Sequence, residues 1–184
     1  MAGPLLESAC DHARARCLGG GTKLMMLVAT LFLALAGAPQ AAKAQPVDLT
    51  DPAVVATLVR DLGYKAESKV NQAGEPYIAS AANGSSFTIE FYGCEAGKCT
   101  SMQFYAWYKK KPEYTEAFVN SWNTRKRFLK AHIDKDGDLA TVYDITSLGG
   151  TRESFADSFD WWTVMTAELF TVMGDADPAK KIAS

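Results

Sequence analysis

The sequence predicts an α+β domain: an antiparallel sheet covered by helices, in the order α-β-β-β-β-α-β-β-α. Three observations predict it. Apolar and polar residues alternate from Ser86 to Lys109 on both sides of a Gly-containing turn, the period-two mark of a β-hairpin. Apolar residues recur at helical spacing in three other stretches. Consecutive strand candidates are joined by short links, which suits antiparallel pairing, and a sheet with one apolar face needs helices to cover it.

Each element has its own signal. Gln45 to Thr50 reads as a short linker. Thr50-Asp51-Pro52 opens a helix, with a capping residue followed by Pro where a missing N–H costs nothing. Val55, Leu58, Val59 and Leu62 give that helix its apolar face, and Gly63 ends it. Lys65–Val70 and Tyr77–Ala82 are strand candidates, and Asn83-Gly84 is a turn signal. In the hairpin, pairing Cys94 with Cys99 sets Phe91 opposite Met102, Ile89 opposite Phe104 and Phe87 opposite Ala106. A one-residue slip would break all three apolar pairs.

Further on, Lys109-Lys110-Lys111-Pro112 reads as a solvated loop. Tyr114, Phe118 and Trp122 mark one face of a helix ending near Asn123. Arg127 to Asp134 alternates, with Leu129, Ala131 and Ile133 on one side and Phe128, Lys130 and His132 on the other. Asp134-Lys135-Asp136-Gly137-Asp138 turns the chain into Leu139–Ile145. A final helix runs from about Thr151 to Met173, Gly174 stops it, and a polar tail follows.

The first 44 residues stand apart as leader and signal peptide, leaving one domain over 45–184. Lys23 precedes an apolar run from Leu24 to Ala36, shorter than the roughly 20 residues a membrane span needs. Small residues follow, ending in Ala42-Lys43-Ala44, an A-x-A cleavage site before Gln45. Periplasmic or secreted location follows, with no stable membrane insertion after cleavage; an uncleaved anchor is the alternative. Residues 1–22 read as an extended leader or as a start codon placed too far upstream. Cleavage removes four of 19 basic and two of 21 acidic residues, so the remaining domain is acidic, with a net charge of −4. That balance gives no footprint for nucleic acid.

Candidate sites are few. Cys94 and Cys99 flank a four-residue turn and form a disulfide in an oxidising compartment, on the more polar sheet face. His132 is the one histidine after residue 44 and reads as a surface residue. Asp134, Asp136 and Asp138 invite a calcium reading, but an EF-hand loop wants Gly sixth and Glu twelfth, whereas Gly137 is fourth and Ile145 twelfth. No phosphate-cradling, dinucleotide or nucleophile-elbow motif occurs. No catalytic residue, metal or cofactor is expected. The surplus of aromatics is the feature that asks for a function. Tyr92, Tyr105 and Trp107 fall on the hairpin face opposite Phe87, Ile89, Phe91, Met102 and Phe104. In the final helix Trp161, Val164 and Met165 widen the apolar stripe formed by Phe155, Phe159, Trp162, Leu169 and Met173. Either helices cover both sheet faces, or Tyr92, Tyr105, Trp107, Trp161 and Trp162 form a patch for a partner.

Phe87-Thr88-Ile89-Glu90-Phe91-Tyr92-Gly93-Cys94, Cys99-Thr100-Ser101-Met102-Gln103-Phe104, Val119-Asn120-Ser121-Trp122-Asn123, Arg127-Phe128 and Asp134–Asp138, followed by a late aromatic helix, together resemble the YbjN family of bacterial sensory transduction regulators. The resemblance covers roughly Asp51 to Met173. It implies a fold similar to type III secretion chaperones, a curved antiparallel sheet with helices on one side, and it implies no reaction. The expected function is a non-enzymatic periplasmic protein-binding module, a homodimer acting on another protein. The alternatives are an envelope sensor binding a small ligand between sheet and helices, and a carboxylate enzyme using Glu90 with Asp144.

Overall fold

The computed structural model describes residues 44–174. The leader and signal-peptide reading lies outside these residues except for Ala44, as does the polar tail after Gly174. Among the described residues the elements follow the expected order. They are α1 (Pro52–Asp61), β1 (Glu67–Val70), β2 (Pro76–Ala82), β3 (Ser85–Glu95), β4 (Lys98–Tyr108), α2 (Glu116–Arg125), β5 (Lys130–Ile133), β6 (Leu139–Thr146) and α3 (Arg152–Val172). The strands form one antiparallel sheet in the order β1-β2-β3-β4-β6-β5.

Local chemistry sets the helix starts. The Asp51 carboxylate accepts the Ala53 N–H at 2.8 Å, satisfying a donor that the first turn leaves free. At α3, Thr151 and Ser154 cap each other reciprocally. The hairpin register is the expected one where its pairs are ladder partners: Ile89 faces Phe104, Phe91 faces Met102 and Cys94 faces Cys99. The turn is tighter than expected. Glu95 and Lys98 still pair, leaving two turn residues, Ala96 and Gly97, with φ of 49° and 80°. Two residues at positive φ match the right-handed strand twist.

One sheet face is packed by rings. Phe87 and Phe104 meet Phe159 and Trp162 of α3, with centroids 5.4–6.0 Å apart. Phe155 joins Phe104 from the preceding turn of the helix. Tyr64, just after α1, packs tilted against Phe159, with centroids 4.7 Å apart. Beside β5, the indole N–H of Trp122 donates to the Leu129 carbonyl at 3.0 Å, and Lys126 pairs with Glu168 to tie α2 to α3. The strand before β6 begins later than expected, at Lys130. Phe128 has a φ of 63°, and its ring lies against Trp161 and Tyr143. Positive φ turns it out of the alternation and onto the helix-bearing side.

The segment Gln45–Thr50, expected as a linker, is a docked strap. Val47 donates to the Gly150 carbonyl and Arg152 donates to that of Gln45, while Leu49 is 2% exposed. The strap also grips the hairpin tip: Cys99 N–H donates to the Thr50 carbonyl at 2.8 Å, and the Lys98 amine pairs with Asp48 and Asp51 at 2.8 and 3.0 Å. Gly150 is small for a reason. A Cβ there would lie 2.2 Å from Cδ1 of Leu49. Gly150→Ala is therefore expected to lower stability by about 1–3 kcal/mol, the usual cost of overpacking. Denaturant unfolding checks this, and an unchanged midpoint would mean that the strap yields freely.

Candidate functional site

The face opposite the rings is the candidate site. Its residues lie in rows across the strands. One row runs Tyr77, Glu90, Gln103, Asp144 from β2 to β6. The next runs Ala79, Thr88, Tyr105, Val142, Lys130. Trp107 lies beside Ala140, which in turn faces His132. No helix among the described residues covers the middle of this face, where Tyr92 is 45% and Trp107 57% exposed. Among the described residues the helices pack on the ring-bearing face only. A groove of about 780 Å³ runs over this face, lined by Tyr77, Thr88, Glu90, Tyr92, Tyr105 and Trp107 among others.

Polar contacts hold the side chains of this face. The Tyr92 hydroxyl donates to Glu90 at 2.9 Å, Thr88 donates to the other Glu90 oxygen at 3.2 Å, and the Gln103 amide donates to Asp144 at 2.7 Å. Partial burial, the Glu90 hydrogen bond and the charges of Glu90, Asp144 and Glu75 push the Tyr92 phenol up to about 12. Burial, with Asp134, Glu90 and Asp138, raises Tyr105 as well. Both phenols are therefore neutral donors in a negative field at ordinary pH.

The expected partner residues divide. Tyr92, Tyr105 and Trp107 share the uncovered face. Trp161, 37% exposed, lies on the other side of the sheet against Phe128, beside exposed Val164. Trp162 is 1% exposed and belongs to the core, because helical spacing turns it onto Phe87 and Phe104. Glu90 and Asp144 occupy the same row, with Gln103 between them. Alternation within the hairpin could have brought Glu90 to the aromatic face, but Asp144 reaches it through the placement of β6 beside β4, which could not be read that way.

The Cys94–Cys99 disulfide is present. Its expected place on the polar face holds for exposed Cys94 only. Cys99 is buried and counts with the core because the strap lies against it. His132 is exposed at the sheet's end. Asp134 spends one carboxylate oxygen on the N–H groups of Asp136 and Asp138, as a turn does. Among the described residues no acidic, His and Cys cluster could hold a metal ion, and no helix is long and apolar enough to cross a membrane.

The two kinds of aromatic should respond differently to truncation. Trp162→Ala is expected to cost about 3–5 kcal/mol, as for other buried aromatics. Trp107→Ala, on the uncovered face, is expected to stay within about 1 kcal/mol of the wild type. Paired unfolding curves check this; equal losses would place Trp107 in the core.

Among solved structures, the chain is similar to the Yersinia pestis type III secretion chaperone SycH, determined in complex with a stable fragment of YscM2. The TM-score is 0.43 at 9% identity, over 60% of this chain and 92% of that one. No curated protein matches the chain. A family model described as "Putative bacterial sensory transduction regulator" matches residues 51–175, from the cap of α1 to just beyond α3. That span takes in the sheet, its aromatic face and all three helices of the described residues, and the chain belongs to the YbjN family.

Proposed function

We propose that this protein is a non-enzymatic binding module of the bacterial envelope, serving a regulatory role by holding a segment of another protein on its uncovered sheet face. The observation that carries the reading is the set of exposed aromatics, Tyr92 and Trp107 with half-buried Tyr105, over a groove on a face that no described helix covers. Large apolar groups left in water mark contact surfaces. Membership in a family described as regulatory supports the role.

An envelope location is part of the proposal. The Cys94–Cys99 bridge suits an oxidising compartment. Just after the Ala44–Gln45 bond, Gln45 donates from its backbone nitrogen to Glu153 at 2.9 Å. Cleavage there keeps the strap whole. Homodimerisation through Trp161, Phe128 and Val164 completes the reading. A second reading, a small ligand in the groove, is favoured by a volume within the range of small-molecule sites. That groove lies on the opposite face from the ring-filled layer between sheet and helices.

Two experiments test the proposal. Expressed as the full chain in a Gram-negative host, the protein is expected in the periplasmic fraction with a mass starting at Gln45; retention in the cytosol at full length would reject the location. A random peptide library selected on the exported protein is expected to yield ligands that fail on a Tyr105→Ala/Trp107→Ala variant. Ligands indifferent to that variant, or none at all, would reject the face as a peptide site. Saturable small-molecule binding lost in the same variant would establish the second reading instead.

A further inference from the structure

We infer that the occupant of the uncovered face is an extended, arginine- or lysine-bearing segment of another protein, held by Glu90 and Asp144 and by the rings of Tyr92, Tyr105 and Trp107. This rests on the reading of that face as the binding surface and names the chemistry of what it takes.

The argument starts from how the face distributes its charges. Glu67 takes both Lys65 and Lys69, at 2.7 and 3.0 Å. Lys130 turns its amine to the carbonyls of Asn123 and Lys126 at the end of α2. The cations of this face are thus engaged at its edges. The two central carboxylates are left with neutral donors: Tyr92 and Thr88 on Glu90, Gln103 on Asp144. Among the described residues no lysine or arginine pairs with either one. A carboxylate has about four acceptor positions, so both keep capacity for a further donor.

Geometry adds to charge. Glu90 and Asp144 lie two strands apart in one row, about 10 Å at the usual strand spacing. That distance is within reach of two cationic side chains on one extended segment. A guanidinium can stack on a tyrosine or tryptophan ring while its N–H fork meets a carboxylate, and the groove offers both beside each other. An acidic segment would meet repulsion here. A neutral apolar one would strip water from Glu90 and Asp144 without replacing it.

The test uses the protein recovered from the exporting host. The probes are a peptide of alternating arginine and serine, about ten residues long so as to cross the sheet, and its counterpart with every arginine replaced by citrulline, which keeps the shape and loses the charge. Calorimetry is expected to show the arginine peptide binding about tenfold or more tightly than the citrulline one, with the difference shrinking at high salt. Glu90→Gln/Asp144→Asn is expected to erase that preference while circular dichroism and the melting temperature stay unchanged, and Trp107→Ala to weaken both peptides. Equal binding of the two peptides that still depends on Trp107 would overturn the cationic assignment and leave the face as a site. An arginine preference that survives the double variant would overturn it by placing the cation elsewhere. Binding that ignores Trp107→Ala, or no binding at all, would overturn it together with the site. A dimer that Trp107→Ala dissolves in light scattering would make a second copy the occupant and overturn it too.

Discussion

Phe104 sits near the middle of β4, and its ring stacks on Trp162 at 5.6 Å while meeting Phe155, Phe159 and Tyr143 within 6.4 Å. The rest of the structure depends on this meeting of hairpin and long helix. Strand side chains alternate strictly, so committing Phe104 to α3 commits Met102 and Ala106 to the same side and sends Gln103, Tyr105 and Trp107 to the other. The antiparallel register carries that choice to β3 and β6, which fixes the sides of Glu90 and Asp144 as well. One packing decision thus makes both the core and the bare face.

The ends of the sheet are secured differently. At the hairpin tip, the disulfide closes the turn, and the Lys98 ion pairs and the Thr50 carbonyl join it to the strap, some 50 residues earlier in the chain. The Lys98 amine holds Asp48 down to about 2, well below an ordinary carboxylate, so the pair persists across neutral and mildly acidic pH. These contacts are exposed and add little stability singly. Their effect is positional: Leu49 seats against Gly150, and Cys99 is buried as a result. At the far end, Trp122 and Asn123 of α2 bond the Leu129 and Ala131 carbonyls, aligning β5 beside β6.

A bare sheet face is ordinarily polar. This one carries Tyr77, Tyr92, Tyr105 and Trp107 around two carboxylates whose partners are a phenol, a hydroxyl and an amide. Neutral donors fix the orientation of a carboxylate without cancelling its charge, so the middle of this face combines ring surface with two carboxylates that no described cation pairs. That combination gives the YbjN fold of this chain a surface whose chemistry is independent of its core.

Much of the fold was legible because its signals are local. Alternation through Phe87–Phe91 and Met102–Ala106 needs only the pleat, the helix starts need only Asp51-Pro52 and Thr151, and the hairpin register follows from matching apolar pairs. The aromatic face was legible too, since alternation alone separates Trp107 from Phe104. Where local pattern and tertiary context disagree, the sequence misled. Phe128 continues an alternating run, yet a positive φ turns its ring toward Trp161. Trp161 and Trp162 look equivalent in composition, but one helical step of about 100° puts one half in water and the other in the core. Gln45–Thr50 has no periodicity at all, and only contacts with Gly150 and Cys99 make it part of the domain. By itself the sequence determined the elements, their order and the two chemical faces of the hairpin, because these follow from periods of 2 and 3.6. Only the tertiary structure decided that the described helices leave one face bare and that β6 brings Asp144 into Glu90's row, because both depend on contacts between residues far apart in the chain.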